Sequence, residues 1–194
     1  MTTFLLIRHG QTDWNLEGRY TGQSDIPLNE TGREQAQRAA AQLQQSPPDV
    51  IYSSDLKRAR ETAEIIGRAF RLPVATDPRL REIDQGEWEG MLFPDIKERF
   101  EQEFNRMRDD PFNVGPPGGE SVGQVWERVL ASADEIAQSH PRQRVVLVSH
   151  GLALAIIKAH GNGHAVDEIW GLIPPNATVE VVAWNARPHD GKIL

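Results

Sequence analysis

Two histidines and two arginines occupy positions from which they could do chemistry together. His9 follows the aliphatic run Phe4-Leu5-Leu6-Ile7 and Arg8, His150 follows Val145-Val146-Leu147-Val148-Ser149, and each histidine precedes a glycine. A short apolar run without alternation reads as a strand buried on both faces, so both imidazoles should project from the carboxyl ends of strands in one sheet. That edge is where open α/β sheets bind ligands. Arg58 falls in the first turn of the helix after a second apolar run, Val50-Ile51-Tyr52, again at a strand's carboxyl end. The chain as a whole carries a formal charge of −7. A local cluster of Arg8, Arg58, His9 and His150 against that background suits a small dense anion, and guanidinium forks match phosphate oxygens. One histidine before a glycine is ordinarily a turn residue; two of them with matching arginines make a site.

The elements that must position these residues follow from periodicity and caps. Strands are expected over Thr3 to Arg8, Val50 to Tyr52, Pro73 to Thr76, Arg144 to Val148 and Thr178 to Trp184. Asn29 should cap a helix running to about Gln45, Asp55 one running to Phe70, and Ser121 one running to Ser139. His150-Gly151 opens an apolar helix to about Ala159, and Val166 to Leu172 is a further helical piece. The stretch from 77 to 119 is turn-rich, with a helix from about Pro94, and reads as a lid-like insertion over one end of the sheet. The order predicts an α/β fold, a three-layer α/β/α sandwich with a mostly parallel central sheet. With 194 residues and neither repeat nor linker, a single domain over 1–194 is expected.

Several longer motifs carry a resemblance. Leu6-Ile7-Arg8-His9-Gly10-Gln11-Thr12 with Asn15, then Arg19-Tyr20-Thr21-Gly22, resembles the opening of the histidine phosphatase superfamily, the phosphoglycerate-mutase-like fold. Tyr52-Ser53-Ser54-Asp55-Leu56 leading to Arg58, Ala59 and Thr62 is similar to its second block. Leu80-Arg81-Glu82 with Gly86-Glu87-Trp88-Glu89-Gly90 is similar to its third, and Val148-Ser149-His150-Gly151 to its fourth, with Pro117-Gly118-Gly119-Glu120-Ser121 between. The blocks keep the family's order over nearly the whole chain.

The resemblance implies a metal-independent phosphomonoesterase that needs no cofactor. His9, its other ring nitrogen held by a backbone carbonyl, would attack phosphorus and become a phosphohistidine. Arg8, Arg58 and His150 would offset the roughly two negative charges of the phosphate. Glu82 matches the family's acid, which protonates the departing oxygen and then activates water; by itself it is a carboxylate in a charged turn. Asn15, Thr21, Gly22, Gln23 and Gly151 match positions near the phosphoryl group, whose ordinary role is turn formation. The implied partner is a small-molecule phosphate monoester.

The branch within the family is read after Glu82. The segment Gln85-Gly86-Glu87-Trp88-Glu89-Gly90 resembles phosphatases, including broad-specificity and alpha-ribazole phosphatases, whereas mutases carry a Tyr-Gly pair and a longer insertion with an arginine pair. Arg106 and Arg108 lie two apart on an expected helix and should point apart. Hydrolysis is therefore favoured over the alternative, a cofactor-dependent phosphoglycerate mutase. A binding module without turnover is disfavoured, because the nucleophile, the arginines and the acid are all present.

Other classes are excluded or disfavoured. The absence of cysteine removes disulfides, thiolate metal sites and cysteine nucleophiles. The acidic balance, 21 Lys and Arg against 28 Asp and Glu, argues against nucleic acid and anionic membrane as partners. No leader-like or membrane-spanning run is visible, so a cytoplasmic location is expected. His160 and His164 are spaced i,i+4, but Gly161 and Gly163 disfavour a helix there and no third ligand accompanies them, so no metal is expected. Trp14 and Trp88 could line the mouth of the pocket. Phe93, Ile96, Phe100, Phe104 and Met107 give the insertion an apolar face, read as core in preference to pocket wall. The last strand offers an edge through which two copies could pair as a homodimer.

Overall fold

The double-sided burial of two strands sets the architecture. In the computed structural model, which describes residues 1–185, β1 (Thr2–Arg8) and β4 (Arg144–Ser149) run side by side and parallel, with Arg8 opposite Ser149. Phe4 and Leu6 of β1 join Val145 and Leu147 of β4 in one core, while Leu5, Ile7, Val146 and Val148 join the other. Strands covered on both faces need no polar alternation, which is why both read as unbroken apolar runs. β2 (Val50–Ser53), β3 (Val74–Thr76) and β5 (Val179–Trp184) complete a sheet in the order β3-β2-β4-β1-β5. All neighbours are parallel except β5, which runs antiparallel to β1 and closes one side.

Helices cover both faces, as the sequence predicts. α2 (Glu30–Leu43) and α3 (Lys57–Phe70) pack on one, through Ala40, Leu43, Ala59, Ala63 and Ile66. α6 (Val122–Ser139) and α7 (Gly151–Asn162) pack on the other, through Val125, Val129, Ala133, Leu154 and Ile157. Asn29 caps α2 by accepting the Gly32 N–H at 2.9 Å, and Ser121 and Gln124 form a reciprocal capping box on α6. Caps of this kind contribute about 1 kcal/mol each.

Four expectations need correction. Asp55 does not cap α3; its carboxylate accepts from Arg81 Nε at 2.7 Å, and the Lys57 N–H is taken instead by Asp25 at 2.7 Å. A short helix, α1 (Asp13–Glu17), was not foreseen, and it buries no residue, so it leaves no apolar period to read. α7 runs on through Gly161 to Asn162, against the doubt those glycines raised. A Cβ on Gly161 would lie 2.4 Å from Val182 Cγ1, so this glycine serves close helix–strand approach instead of a break. The 77–119 stretch holds two helices, α4 (Phe93–Arg99) and α5 (Glu101–Asp109), after one-turn 3-10 pieces at Pro78–Leu80 and Gly86–Trp88. Val166–Leu172 is a 3-10 segment. Among the described residues no helix is long and apolar enough to cross a membrane.

Candidate active site

Strand register brings the two histidines together. Because Arg8 and Ser149 are partners across β1 and β4, the residues that follow them leave the sheet as neighbours, and the His9 N–H donates to the Ser149 carbonyl at 2.9 Å. The His9 and His150 rings stand 5.2 Å apart. His9 Nδ1 lies 2.7 Å from the Gly10 carbonyl. A carbonyl can only accept, so the proton belongs on Nδ1 and the lone pair on Nε2. Burial first, then the charges of Arg58 and Arg8, hold the His9 pKa well below its usual value, so the ring is neutral at pH 7.

The cations come from two elements, and a third adds a second imidazole. Arg58, the second residue of α3, is 1% exposed, and its two terminal nitrogens donate to the Ser24 and Gly22 carbonyls, each at 2.7 Å. Burial lowers its pKa to about 10, which still leaves it charged at neutral pH. Arg8 at the end of β1 donates to the Pro174 carbonyl at 3.0 Å. His150, at the N-terminus of α7, is fully buried, and its pKa is also pushed well below normal by burial and then by Arg58. Arg8 Nε, Arg58 Nε and both ring nitrogens of His150 are buried with no partner among the described residues.

Glu82 faces the same space from the turn after Pro78–Leu80. Its Oε1 accepts the Ile83 N–H at 3.0 Å and its Oε2 accepts the Leu152 N–H, in the first turn of α7, at 3.2 Å. Gly151 lies beside both groups: a Cβ on it would stand at ordinary contact distance from Glu82 Oε2 and Arg8 Cζ, at 3.4 and 3.7 Å, and closest to Ile173 Cγ2, at 3.1 Å.

Arg8, His9, Asn15, Thr21, Gly22, Arg58, Glu82 and Gly151 all line one cavity of about 410 Å³; His150 is not on its wall, and its ring stands 5.2 Å from that of His9. Gln23 is not on that wall: its amide donates to the Glu82 carbonyl at 3.2 Å, and its carbonyl oxygen accepts from Arg81 at 3.3 Å. The outer wall differs from expectation. Trp88 is fully buried behind Phe100 and Phe104, and Trp14 packs on Gly90, so neither tryptophan lines the mouth. The apolar face of the insertion divides instead: Ile96 is core, while Phe104 and Met107 reach the cavity. Arg108 lines it, whereas Arg106 points away toward Glu103.

Three contributors were missed by sequence reasoning. Trp170 and Ile173 line the mouth, and Asn176 donates to the His9 carbonyl at 2.8 Å. A signal for Trp170 existed: Ile169 and Leu172, three apart, face the core, which leaves Trp170 off the buried side of its turn. Asn176 sits in a turn before an edge strand and carries no comparable mark. His160 and His164 do not meet: the His160 ring packs against Trp184 at 5.2 Å, and His164 faces Glu168.

Residues 4–190 match the family model of the histidine phosphatase superfamily, branch 1. The chain belongs to that superfamily. Phosphoserine phosphatase 1 of Hydrogenobacter thermophilus is 36% identical over 187 residues, 96% of this chain and 89% of that protein. The crystal structure of the alpha-ribazole phosphatase from Shigella flexneri superposes with a TM-score of 0.87 at 27% identity, covering 94% of this chain and 91% of that one. A probable phosphoglycerate mutase of Proteus mirabilis is 38% identical over 157 residues, 81% of this chain and 73% of that protein. As a member of the histidine phosphatase superfamily with phosphatases matching at nearly full length, the chain is a phosphomonoester hydrolase.

Proposed function

We propose that this phosphatase hydrolyses small phosphorylated metabolites in the cytoplasm through a phosphohistidine formed on His9. The observation that carries the reading is the set of buried nitrogens around His9, on Arg8, Arg58 and His150, that have no partner among the described residues. A buried polar group without a partner is costly, and a phosphate dianion supplies acceptors to those of these nitrogens that carry a proton. Each such preorganised donor is commonly worth about 3–4 kcal/mol of transition-state stabilisation.

In the first step the His9 Nε2 lone pair bonds to phosphorus in line with the departing oxygen, and the P–O bond to the leaving group breaks. Glu82 delivers its proton to that oxygen, so the leaving group departs as an alcohol. Water then attacks the phosphohistidine, Glu82 takes up a water proton, the N–P bond breaks and inorganic phosphate is released. Asn15, Thr21 and Gly22 edge the phosphate position, and Gln23 acts through the Glu82 backbone. Positive charge from Arg8 and Arg58 does the neutralising that a metal would otherwise do. The 77–119 insertion is the lid, closing the cavity with Phe104, Met107 and Arg108 over the leaving group.

Hydrolysis is favoured over the mutase reading because the segment after Glu82 resembles phosphatases and the phosphatase relative matches over a larger share of both chains. The test is turnover of p-nitrophenyl phosphate, phosphoserine, alpha-ribazole phosphate and 3-phosphoglycerate in EDTA, with and without 2,3-bisphosphoglycerate. Phosphate release that needs no bisphosphate and is lost in His9→Ala is expected. Bisphosphate-dependent interconversion of phosphoglycerates without phosphate release would make the chain a mutase, and a fully active His9→Ala variant would remove His9 as the nucleophile.

A further inference from the structure

The guanidinium of Arg128, on the second turn of α6, uses all five of its N–H donors, and none of them faces the cavity. Nη1 donates to the Arg79 carbonyl at 2.8 Å and to the Arg81 carbonyl at 2.7 Å, and Nη2 donates to the Glu82 carbonyl at 2.9 Å. Nε and Nη2 fork onto the Glu120 carboxylate at 2.8 and 2.7 Å. Glu120 in turn accepts the Asp84 N–H at 3.0 Å, and its own N–H donates to the Asp84 carbonyl at 2.9 Å. The carbonyls of Arg79, Arg81 and Glu82 itself are thus tied to one planar cation, and through Glu120 so is the backbone of Asp84.

We propose that Arg128, seated on Glu120, is a positioning residue that fixes the backbone of Glu82 so that its carboxyl meets the leaving-group oxygen. The inference rests on Glu82 being the proton donor of the proposed reaction. The residues from 79 to 84 form a turn whose regular structure ends at Leu80, so no sheet or helix ladder holds the peptide of Glu82 in place. Its side chain is oriented by two backbone N–H groups, one of them on α7, and the clamp supplies the matching constraint from α6. Arg128 and α7 therefore hold the acid from opposite ends. Lysine cannot replace the clamp, because a compact ammonium with three donors reproduces neither the fork on Glu120 nor the span across three carbonyls.

A displaced acid leaves a distinctive kinetic mark. A poor alkoxide leaving group needs the proton, whereas p-nitrophenolate departs without it, and kcat/KM reports steps only through that departure. In Arg128→Lys, kcat/KM for phosphoserine should fall by about 10- to 100-fold, the scale of a misplaced catalytic group. That for p-nitrophenyl phosphate should change less than about 3-fold, and inhibition by inorganic phosphate should be unchanged. Glu120→Gln, which keeps the shape and loses one charge of the fork, should show the same split at smaller size and serves if Arg128→Lys fails to fold. Equal losses on both substrates, or no loss on either, would overturn the inference. Glu82→Gln measured alongside separates the two ideas: if it shows no split, Glu82 is not the donor, and if it alone shows the split, Arg128 does not position it.

Discussion

Burial holds His150 neutral, with Arg58 the largest charge acting on it and His9, Arg8 and Arg128 adding to the effect. A phosphate dianion bound at His9, whose ring stands 5.2 Å from that of His150, acts in the opposite direction, since it brings negative charge toward a ring whose nitrogens have no partner among the described residues. Phosphate binding should therefore be coupled to proton uptake. At pH 6, calorimetric titration of the protein with inorganic phosphate in buffers of different ionisation enthalpy should show protons taken up in the wild type beyond those phosphate itself exchanges, and fewer in His150→Gln. Equal uptake in both would mean that His150 does not face the anion. The same lowered pKa values act on stability. An unfolded histidine protonates near its usual 6.5, so in the window below that value, down to the depressed folded values of His9 and His150, the unfolded chain binds more protons. Their contribution is complete above pH 6.5 and is lost as the pH falls through the folded values. Thermal unfolding followed from pH 7.5 to 5 should show an acid slope that flattens in His150→Gln.

At the scale of elements, the site depends on how tightly β1 exits over α2. A Cβ on Gly10 would lie 2.3 Å from the Gly32 carbonyl oxygen, and a Cβ on Gly32 would lie 2.2 Å from the Gln11 carbonyl oxygen. Backbone on backbone cannot give way as a side chain does. Gly10→Ala should therefore push His9 off its carbonyl partner, lowering kcat by 10-fold or more and stability by about 1–3 kcal/mol, measured by steady-state rates and denaturant unfolding. An unchanged variant would show that the loop after β1 and the first turn of α2 are free to part. The elements that carry this geometry were legible in the sequence to the extent that burial imposed a pattern. β1 and β4 read as strands because both faces are covered, and Asn29 and Ser121 read as caps because their partners lie within three residues. Asp55 was misread because α3 is capped by Asp25 from a separate loop, and α1 was missed because it buries nothing. Within the site, residues at strand ends were legible from their glycines and apolar runs. Asn176 and Arg128 were not, because each grips backbone carbonyls dozens of residues away, and a carbonyl has no residue type to announce it.

Across the whole molecule, the proposed anion site is a junction of the sheet with both of its helix layers. Arg8 comes from β1, Arg58 from the first turn of α3, His150 from the β4–α7 junction, and Glu82 from the turn tied to α6. A phosphate bound there bridges both layers of helices, and it also relieves repulsion between cations that burial leaves poorly screened. Binding that exists only in the folded state adds to its stability by mass action, about 2.7 kcal/mol at 100 times the dissociation constant. For a chain of this size that corresponds to a rise of roughly 5–10 °C in Tm. Inorganic phosphate or vanadate should therefore raise the Tm of the wild type by that amount. His9→Ala should keep much of the shift, since the His9 ring is neutral and contributes little to holding the anion, whereas Arg58→Lys should lose most of it, because a lysine cannot keep both the Gly22 and Ser24 carbonyls and still present a donor to phosphate. A shift retained in Arg58→Lys and lost in His9→Ala would mean that the anion is held by the imidazole and that the cationic wall is structural.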